Sequence, residues 1–162
     1  MMSKKPKLRV VTRAHLLRLR RCWRRQGKKV VFTNGVFDII HRGHIELLCK
    51  ARSYGDILVV GVNTDASTRR IKGPGRPLNN EHDRAMVLAA LESVDWVCLF
   101  SESTPGELIQ ALQPDVLVKG AEYARKQIVG ADLVKTWGGA VRRIPMVRGY
   151  STTRLVRSLP PR

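Results

Sequence analysis

The chain has 162 residues, 43% of them hydrophobic and 27% charged. That length fits one compact domain rather than a multi-domain enzyme, and it lets the chain bury about 68–70% of its unfolded surface without a metal or disulfide staple. Thirty lysines and arginines against 13 acids give a formal charge of +17, but residues 1–30 carry +12, residues 31–124 carry −3 and residues 125–162 carry +8. A solvated basic face that draws anionic substrates toward a cleft accounts for this pattern, and dedicated nucleic-acid binding is the weaker reading. Apolar stretches such as Ile57 to Val62 and Met86 to Leu91 are far shorter than the ~18 residues of a membrane span. No apolar signal core follows the basic N-terminus, so the expected location is the cytoplasm, with no membrane partner. Cys22, Cys49 and Cys98 are odd in number and form no paired-thiol spacing, which argues for reduced packing residues rather than a disulfide framework or thiolate zinc site.

In chain order, residues 1–9 are Lys-rich and lack an apolar period, as expected for a disordered tail; residues 10–162 form the single domain. Leu16, Leu17, Leu19, Cys22 and Trp23 sit among arginines at spacings that predict a first helix, stopped by Gly27. Val30-Val31-Phe32 then reads as a buried strand running into the turn Thr33-Asn34-Gly35. The pattern alternates from there: a helix from Gly43 to Ser53, a strand from Ile57 to Val62, a helix from Glu81 to Leu91 and a strand from Trp96 to Phe100. A helix from Thr104 to Leu112, a strand from Val116 to Val118, a helix from Ile128 to Trp137, a strand from Val141 to Ile144 and a last helix from Ser151 to Leu159 complete it. The Gly- and Pro-rich stretch Lys72 to Pro77 is expected to be a mobile loop. Such alternation predicts an α/β fold: a Rossmann-like doubly wound sheet of about five parallel strands, helices on both faces and an added N-terminal helix. Ligands of such sheets bind outside the carboxyl ends of the strands, which directs attention to the loops after Phe32, Val62, Phe100 and Val118 and before Ser151.

The most informative stretch is Thr33-Asn34-Gly35-Val36-Phe37-Asp38 followed by His41-Arg42-Gly43-His44 at a helix start. Gly35 lets backbone approach a phosphate, and the amides at the start of the His44 helix favour an anion. Two histidines three apart, with no Cβ at Gly43 between them, can both face that phosphate. The rival readings are a packed or surface pair, or a metal site with Glu46. Zinc would need further ligands, and His15 and His82 stand at no motif spacing.

Gly-x-Phe-Asp plus His-x-Gly-His after a first strand resembles the signature of the cytidylyltransferase-like nucleotidyltransferases. Six blocks in order resemble, within them, the ADP-heptose synthase adenylyltransferases: Val31 to Asp38, Val62 to Ser67, Lys72 to Asn79, Ala89 to Asp95, Asp115 to Gly120, and Ser151-Thr152-Thr153. At this length a stand-alone form, without the sugar-kinase domain of bifunctional members, is expected. The resemblance implies transfer of AMP from ATP to D-glycero-β-D-manno-heptose 1-phosphate, releasing pyrophosphate and ADP-heptose for lipopolysaccharide inner-core synthesis. It implies in-line attack without a covalent intermediate, Mg²⁺ held mainly by nucleotide phosphates, no dedicated metal ligands, and a homodimer. It casts His41, His44 and Lys72 as catalytic. Thr33, Asn34, Gly35, Phe37, Asp38, Gly43, Arg84, Lys119, Gly120, Ser151, Thr152 and Thr153 would bind nucleotide, and Asp38, Asn63, Asp65 and Glu122 the sugar phosphate.

Each assignment has a plainer counterpart: a solvated loop charge for Lys72, a salt bridge to Glu81 or Asp83 for Arg84, a sheet-edge cap for Lys119 and an N-cap for Ser151. Two departures stand out. Met146 occupies the place of an arginine in related cytidylyltransferases, leaving Arg142, Arg143 or Arg148 to replace it, and Lys119-Gly120-Ala121-Glu122 stands where relatives show Lys-Gly-Gly-Asp. The runner-up activity is a CTP-dependent cytidylyltransferase acting on glycerol 3-phosphate or another small phosphate. A polyanion-binding module is the reading from a different class, and it leaves the double-histidine turn unexplained. Class I tRNA synthetases share a similar histidine motif, but 162 residues cannot hold their other parts.

Overall fold

Along the central strands the apolar side chains alternate between two cores. Val30, Phe32, Val59, Cys98 and Leu117 pack on one side, while Val31, Leu58, Val60, Val97, Val116 and Val118 pack on the other. A strand that is apolar on both faces must be covered on both, and a parallel sheet wrapped by helices does this. The computed structural model describes residues 9–121, 124 and 127–145. Its elements are β1 (Val10–Val11), α1 (Arg13–Arg25), β2 (Val30–Gly35), α2 (Arg42–Arg52), β3 (Ile57–Asn63), α3 (Asp65–Lys72), α4 (Glu81–Ala89), β4 (Trp96–Phe100), α5 (Gly106–Leu112), β5 (Val116–Gly120), α6 (Ala131–Thr136) and β6 (Ala140–Ile144). Helices α1, α5 and α6 close the first core, and α2 and α4 close the second.

All strand pairs are parallel, in the order β1-β4-β3-β2-β5-β6. The order reverses between β2 and β5. There the ladder runs only through Val31↔Val116 and Phe32↔Leu117, whereas β2 stays paired with β3 from Val30 to Gly35. The carboxyl ends of β2 and β5 therefore part, which is how a doubly wound sheet opens a crevice for a ligand. The close fit beneath it depends on Gly61, where a Cβ would come within 2.8 Å of the Phe32 ring.

Several expectations are corrected. The sheet has six strands because Val10–Val11 pairs with Val97 and Cys98 at the edge; two residues are too few to show alternation. Arg9, assigned to the tail, accepts at its carbonyl from Val97 N and donates from its guanidinium to Val94 O. In α1 the buried positions are Leu16, Arg20 and Trp23, and Leu17, Leu19 and Cys22 are only half-buried. A helix absent from the expectation, α3, follows β3. Its polar sequence has no apolar period, but Thr64 caps it by accepting from Ser67 N and Asp65 stands in its first turn, both standard helix-start chemistry. Lys72 is thus the last residue of a helix rather than a loop residue. Helices α5 and α6 begin at Gly106 and Ala131, later than Thr104 and Ile128. Cys98 is buried, Cys22 half-buried and Cys49 exposed, all as free thiols; only the first fits a packing role fully. The expected tail over residues 1–8 and helix Ser151 to Leu159 lie outside the described residues. Among the described residues no helix is long and apolar enough to cross a membrane.

Candidate active site

A cavity of about 570 Å³ lies at the carboxyl ends of β2, β3 and β5. Its walls bring together Thr33, Asn34, Gly35, Phe37, Asp38, His44, Asn63, Lys72, Lys119 and Gly120, ten of the residues singled out from the sequence. His41 is not on the wall, but its ring stacks on that of His44 at 3.8 Å between centroids and 22° between planes. Phe37 backs His44 from another side, with centroids 5.1 Å apart. Phe37 holds φ at +50°, a left-handed conformation that costs a non-glycine residue about 1 kcal/mol or more. The turn tolerates it because the neighbouring backbone is fastened on both sides, as follows.

Asp38 is 3% exposed. Its carboxylate accepts from Leu78 N at 2.8 and 2.9 Å and from Asn79 N at 2.9 Å, and it pairs with Arg76 at 2.8 Å. Asn79 donates back to the Asp38 carbonyl at 2.7 Å. The loop expected to be mobile is therefore tied at residues 76–79, with the Asp38 carboxylate as its clamp.

The histidines start α2. His41 occupies the N-cap position without a side-chain cap bond, and Gly43 is buried between them. Burial and the neighbouring His41 pull the His44 pKa down to about 4, and burial lowers that of His41. Both are neutral near pH 7, which lets each imidazole donate one N–H and accept at the other nitrogen. His44 Nδ1 and Asn34 Oδ1 are buried polar atoms with no protein partner among the described residues. Such atoms are costly unless something else satisfies them. Across the crevice, Lys119 Nζ donates to the Asn34 carbonyl at 3.0 Å, spanning the gap between the parted strands. Asn63 donates to Ser67 Oγ at 2.9 Å, and Ser67 in turn donates to the Glu102 carbonyl at 2.8 Å.

Arg84 and Asp65 are not brought to the cavity wall. They pair with each other at 2.7 Å, with the Arg84 side chain only 1% exposed. Glu122, Ser151, Thr152 and Thr153, with Met146 and Arg148, lie outside the described residues. Arg142 and Arg143 stand exposed on β6. Sequence reasoning missed Arg76, Ser103, Thr104, Pro105, Gln127 and Val129 on the cavity wall. The segment after β4 was flagged as a loop at a strand's carboxyl end, with Thr104 read as the start of the next helix, and that loop position is the one signal that could have found Ser103 and Thr104.

The family described as cytidylyltransferase-like matches residues 32–158. The chain belongs to the cytidylyltransferase-like family. Among curated proteins, this cytidylyltransferase-like chain is 54% identical over 147 residues to the bifunctional protein HldE of Koribacter versatilis, covering 91% of the chain and 30% of that protein. It is 57% identical over 137 residues to the bifunctional protein HldE of Gluconobacter oxydans, covering 85% of the chain and 29% of that protein. The chain thus spans less than a third of the length of these relatives. Among solved structures, the lipopolysaccharide core biosynthesis protein of Thermoplasma volcanium is similar with a TM-score of 0.61 and 30% identity, covering 77% of this chain and 100% of that one. A pantoate-beta-alanine ligase of Francisella tularensis shares the fold at a TM-score of 0.68 and 19% identity, covering 93% of this chain and 73% of that one.

Proposed function

We propose that the chain transfers AMP from ATP to D-glycero-β-D-manno-heptose 1-phosphate, yielding ADP-heptose and pyrophosphate. The observation that carries this reading is the 54% identity, over 91% of the chain, to a bifunctional protein HldE. The six ordered blocks that resemble heptose-phosphate adenylyltransferases support it, as does the similarity to a solved lipopolysaccharide core biosynthesis protein.

In this reaction an oxygen of the sugar 1-phosphate attacks the α-phosphorus in line. The new O–P bond forms as the bond to the bridging oxygen breaks, and pyrophosphate leaves with that electron pair. No proton need leave the nucleophile, because the phosphate oxygen is already anionic. The protein's contribution is to position the two phosphates and to stabilise charge on the oxygens around phosphorus. Neutral His44, with Nδ1 unengaged among the described residues, offers an N–H to a phosphate oxygen, and stacked His41 holds its ring in place. A preorganised donor of this kind lowers the barrier by about 3–4 kcal/mol. Lys72, on the cavity wall at the end of α3, supplies a cation for the β- and γ-phosphates, and Gly35 admits the triphosphate close to the backbone.

ATP enters as its Mg²⁺ complex. Among the described residues no group of three or more His, Cys, Asp or Glu is placed to hold a metal, and the Asp38 carboxylate is taken by loop amides. Mg²⁺ would be held by nucleotide oxygens and water, as it commonly prefers, and would supply charge neutralisation at the triphosphate. We extend the reading to a homodimer working in the cytoplasm on soluble substrates.

The test is pyrophosphate release with Mg²⁺ and either ATP or CTP, each against heptose 1-phosphate and glycerol 3-phosphate. Release only with ATP and heptose 1-phosphate is the expected outcome. Release only with CTP overturns the substrate assignment, and no release in any combination overturns the reading.

A further inference from the structure

We propose that Arg84 is a positioning residue that locks the phosphate turn to the helix carrying Lys72, acting without touching substrate. The inference rests on the adenylyl-transfer reading above. Arg84 is 2% exposed and is among the largest fully buried side chains of the molecule. Its guanidinium spends each nitrogen on a different segment: Nε donates to Asn79 O at 2.9 Å, one Nη to Val36 O at 2.6 Å, and the other to Asp65 Oδ1 at 2.7 Å.

The three acceptors are not equivalent in what they carry. Val36 lies between Gly35 and Phe37, in the turn that lines the cavity. Asn79 belongs to the loop that Asp38 clamps. Asp65 opens α3, and its own amide donates to Glu81 Oε2 at 2.6 Å. The helix from Asp65 to Lys72 is about 12 Å long at 1.5 Å per residue, with these two residues at its two ends. A shift at Asp65 is therefore passed along the helix to Lys72, which lines the same cavity as the turn that Val36 anchors. Arg84 ties both ends of that frame to one planar group.

A guanidinium is the side chain that can do this. Its donors diverge in a fixed plane, whereas a lysine ammonium is a single point and an apolar residue leaves Val36 O and Asp65 Oδ1 without their donor. Each of its three nitrogens is committed to protein, and the side chain is 1% exposed and off the cavity wall. The tie to Asp65 also differs from the pairing with Glu81 or Asp83 that helix spacing alone suggests.

The experiment combines steady-state kinetics with ATP and heptose 1-phosphate and hydrogen exchange on the full chain, for Arg84→Met, Arg84→Lys, Asp65→Asn and the double variant Arg84→Met/Asp65→Asn. Positioning predicts that Arg84→Met lowers kcat about tenfold or more, since small misplacements of reacting groups are expensive, while KM for ATP changes less than about threefold. Arg84→Lys does not restore kcat. The double variant is no slower than Arg84→Met alone, because both changes cut the same link. Amide exchange speeds up in residues 36–38 and 65–72, with β3 and β4 unchanged. If Arg84→Met fails to fold, Asp65→Asn, which keeps its shape, decides by the same two readouts. A tenfold rise in KM for ATP at constant kcat overturns the proposal in favour of direct nucleotide contact, and so does unchanged exchange in those segments. If the wild-type chain does not turn over heptose 1-phosphate, the activity reading fails by itself and exchange alone decides the fate of the positioning role.

Discussion

The two ends of the same sheet are built on opposite rules. At the amino ends of the strands, polar groups are spent on the protein itself. Asp56 accepts from Lys29 N at 2.8 Å, Asp95 from Leu58 N at 2.8 Å and Asp115 from Val30 N at 2.7 Å. In each case an aspartate just before one strand holds an amide at or beside the start of its neighbour. Arg52 pairs with Asp95 at 2.9 Å, and buried Arg20 pairs with Asp115 at 3.2 Å while donating to the last carbonyls of α5, Leu112 and Gln113. At the carboxyl ends β2 and β5 part, Phe37 is held left-handed, and His44 Nδ1 and Asn34 Oδ1 are buried without partners among the described residues. One end is saturated and the other is left incomplete. The cost of the incomplete end is carried by the saturated end, the usual division between a functional site and its scaffold.

Removing a group from the incomplete end should leave stability nearly intact and damage turnover. His44→Ala is expected to lower kcat at least about a hundredfold, the usual loss for a deleted transition-state donor, with circular dichroism and melting temperature close to wild type. Normal turnover in that variant would break the comparison, because the open polar atoms would then have no catalytic use. Removing a group from the saturated end should do the reverse. Arg20→Met is expected to cost about 2 kcal/mol in urea unfolding, below the range for a fully buried pair because Asp115 is 40% exposed and partly screened by water. Its kcat, measured well below the melting temperature, should match wild type. A fall in kcat without a fall in stability would show that the two ends are not separable.

How far the sequence could be read follows the same division. The five longer strands and most of the helices were legible because doubly buried strands are continuously apolar and the helices are punctuated by Gly, Pro and capping residues. The turn from Thr33 to Asp38 and His41 and His44 were legible because they are contiguous and chemically distinctive. The scaffold links were not. Arg20 reads as one more base on a basic helix, and nothing local reveals that it reaches carbonyls 92 and 93 residues away. Arg84 to Asp65 and Asp38 to Arg76 likewise join segments whose spacing has no period. Helix α3 was missed because it is held by Thr64, Asp65 and buried Ser67 and Thr68 rather than by an apolar stripe.

The smallest expected effect is the pH response near neutrality, and it sharpens the comparison because its shape depends on how His44 is buried. Burial and the neighbouring His41 hold the His44 pKa at about 4, against an ordinary value of 6.5. The unfolded chain therefore takes up a proton between these values that the folded chain does not. The His44 contribution to stability is fully present above pH 6.5 and is lost as pH falls toward 4. If catalysis uses the neutral imidazole, kcat/KM, which reports the free enzyme, should stay flat from pH 8 to about pH 5.5 and decline only below that. Measuring kcat/KM and unfolding free energy over that interval separates two causes. A midpoint in kcat/KM near pH 6.5 would mean that His44 is solvated in the free enzyme, and that the carboxyl end of the sheet opens further than the folded chain shows. A flat profile would mean that the site keeps its histidines dry before substrate arrives, so that the donor to phosphate is already in place and need not be desolvated during the reaction.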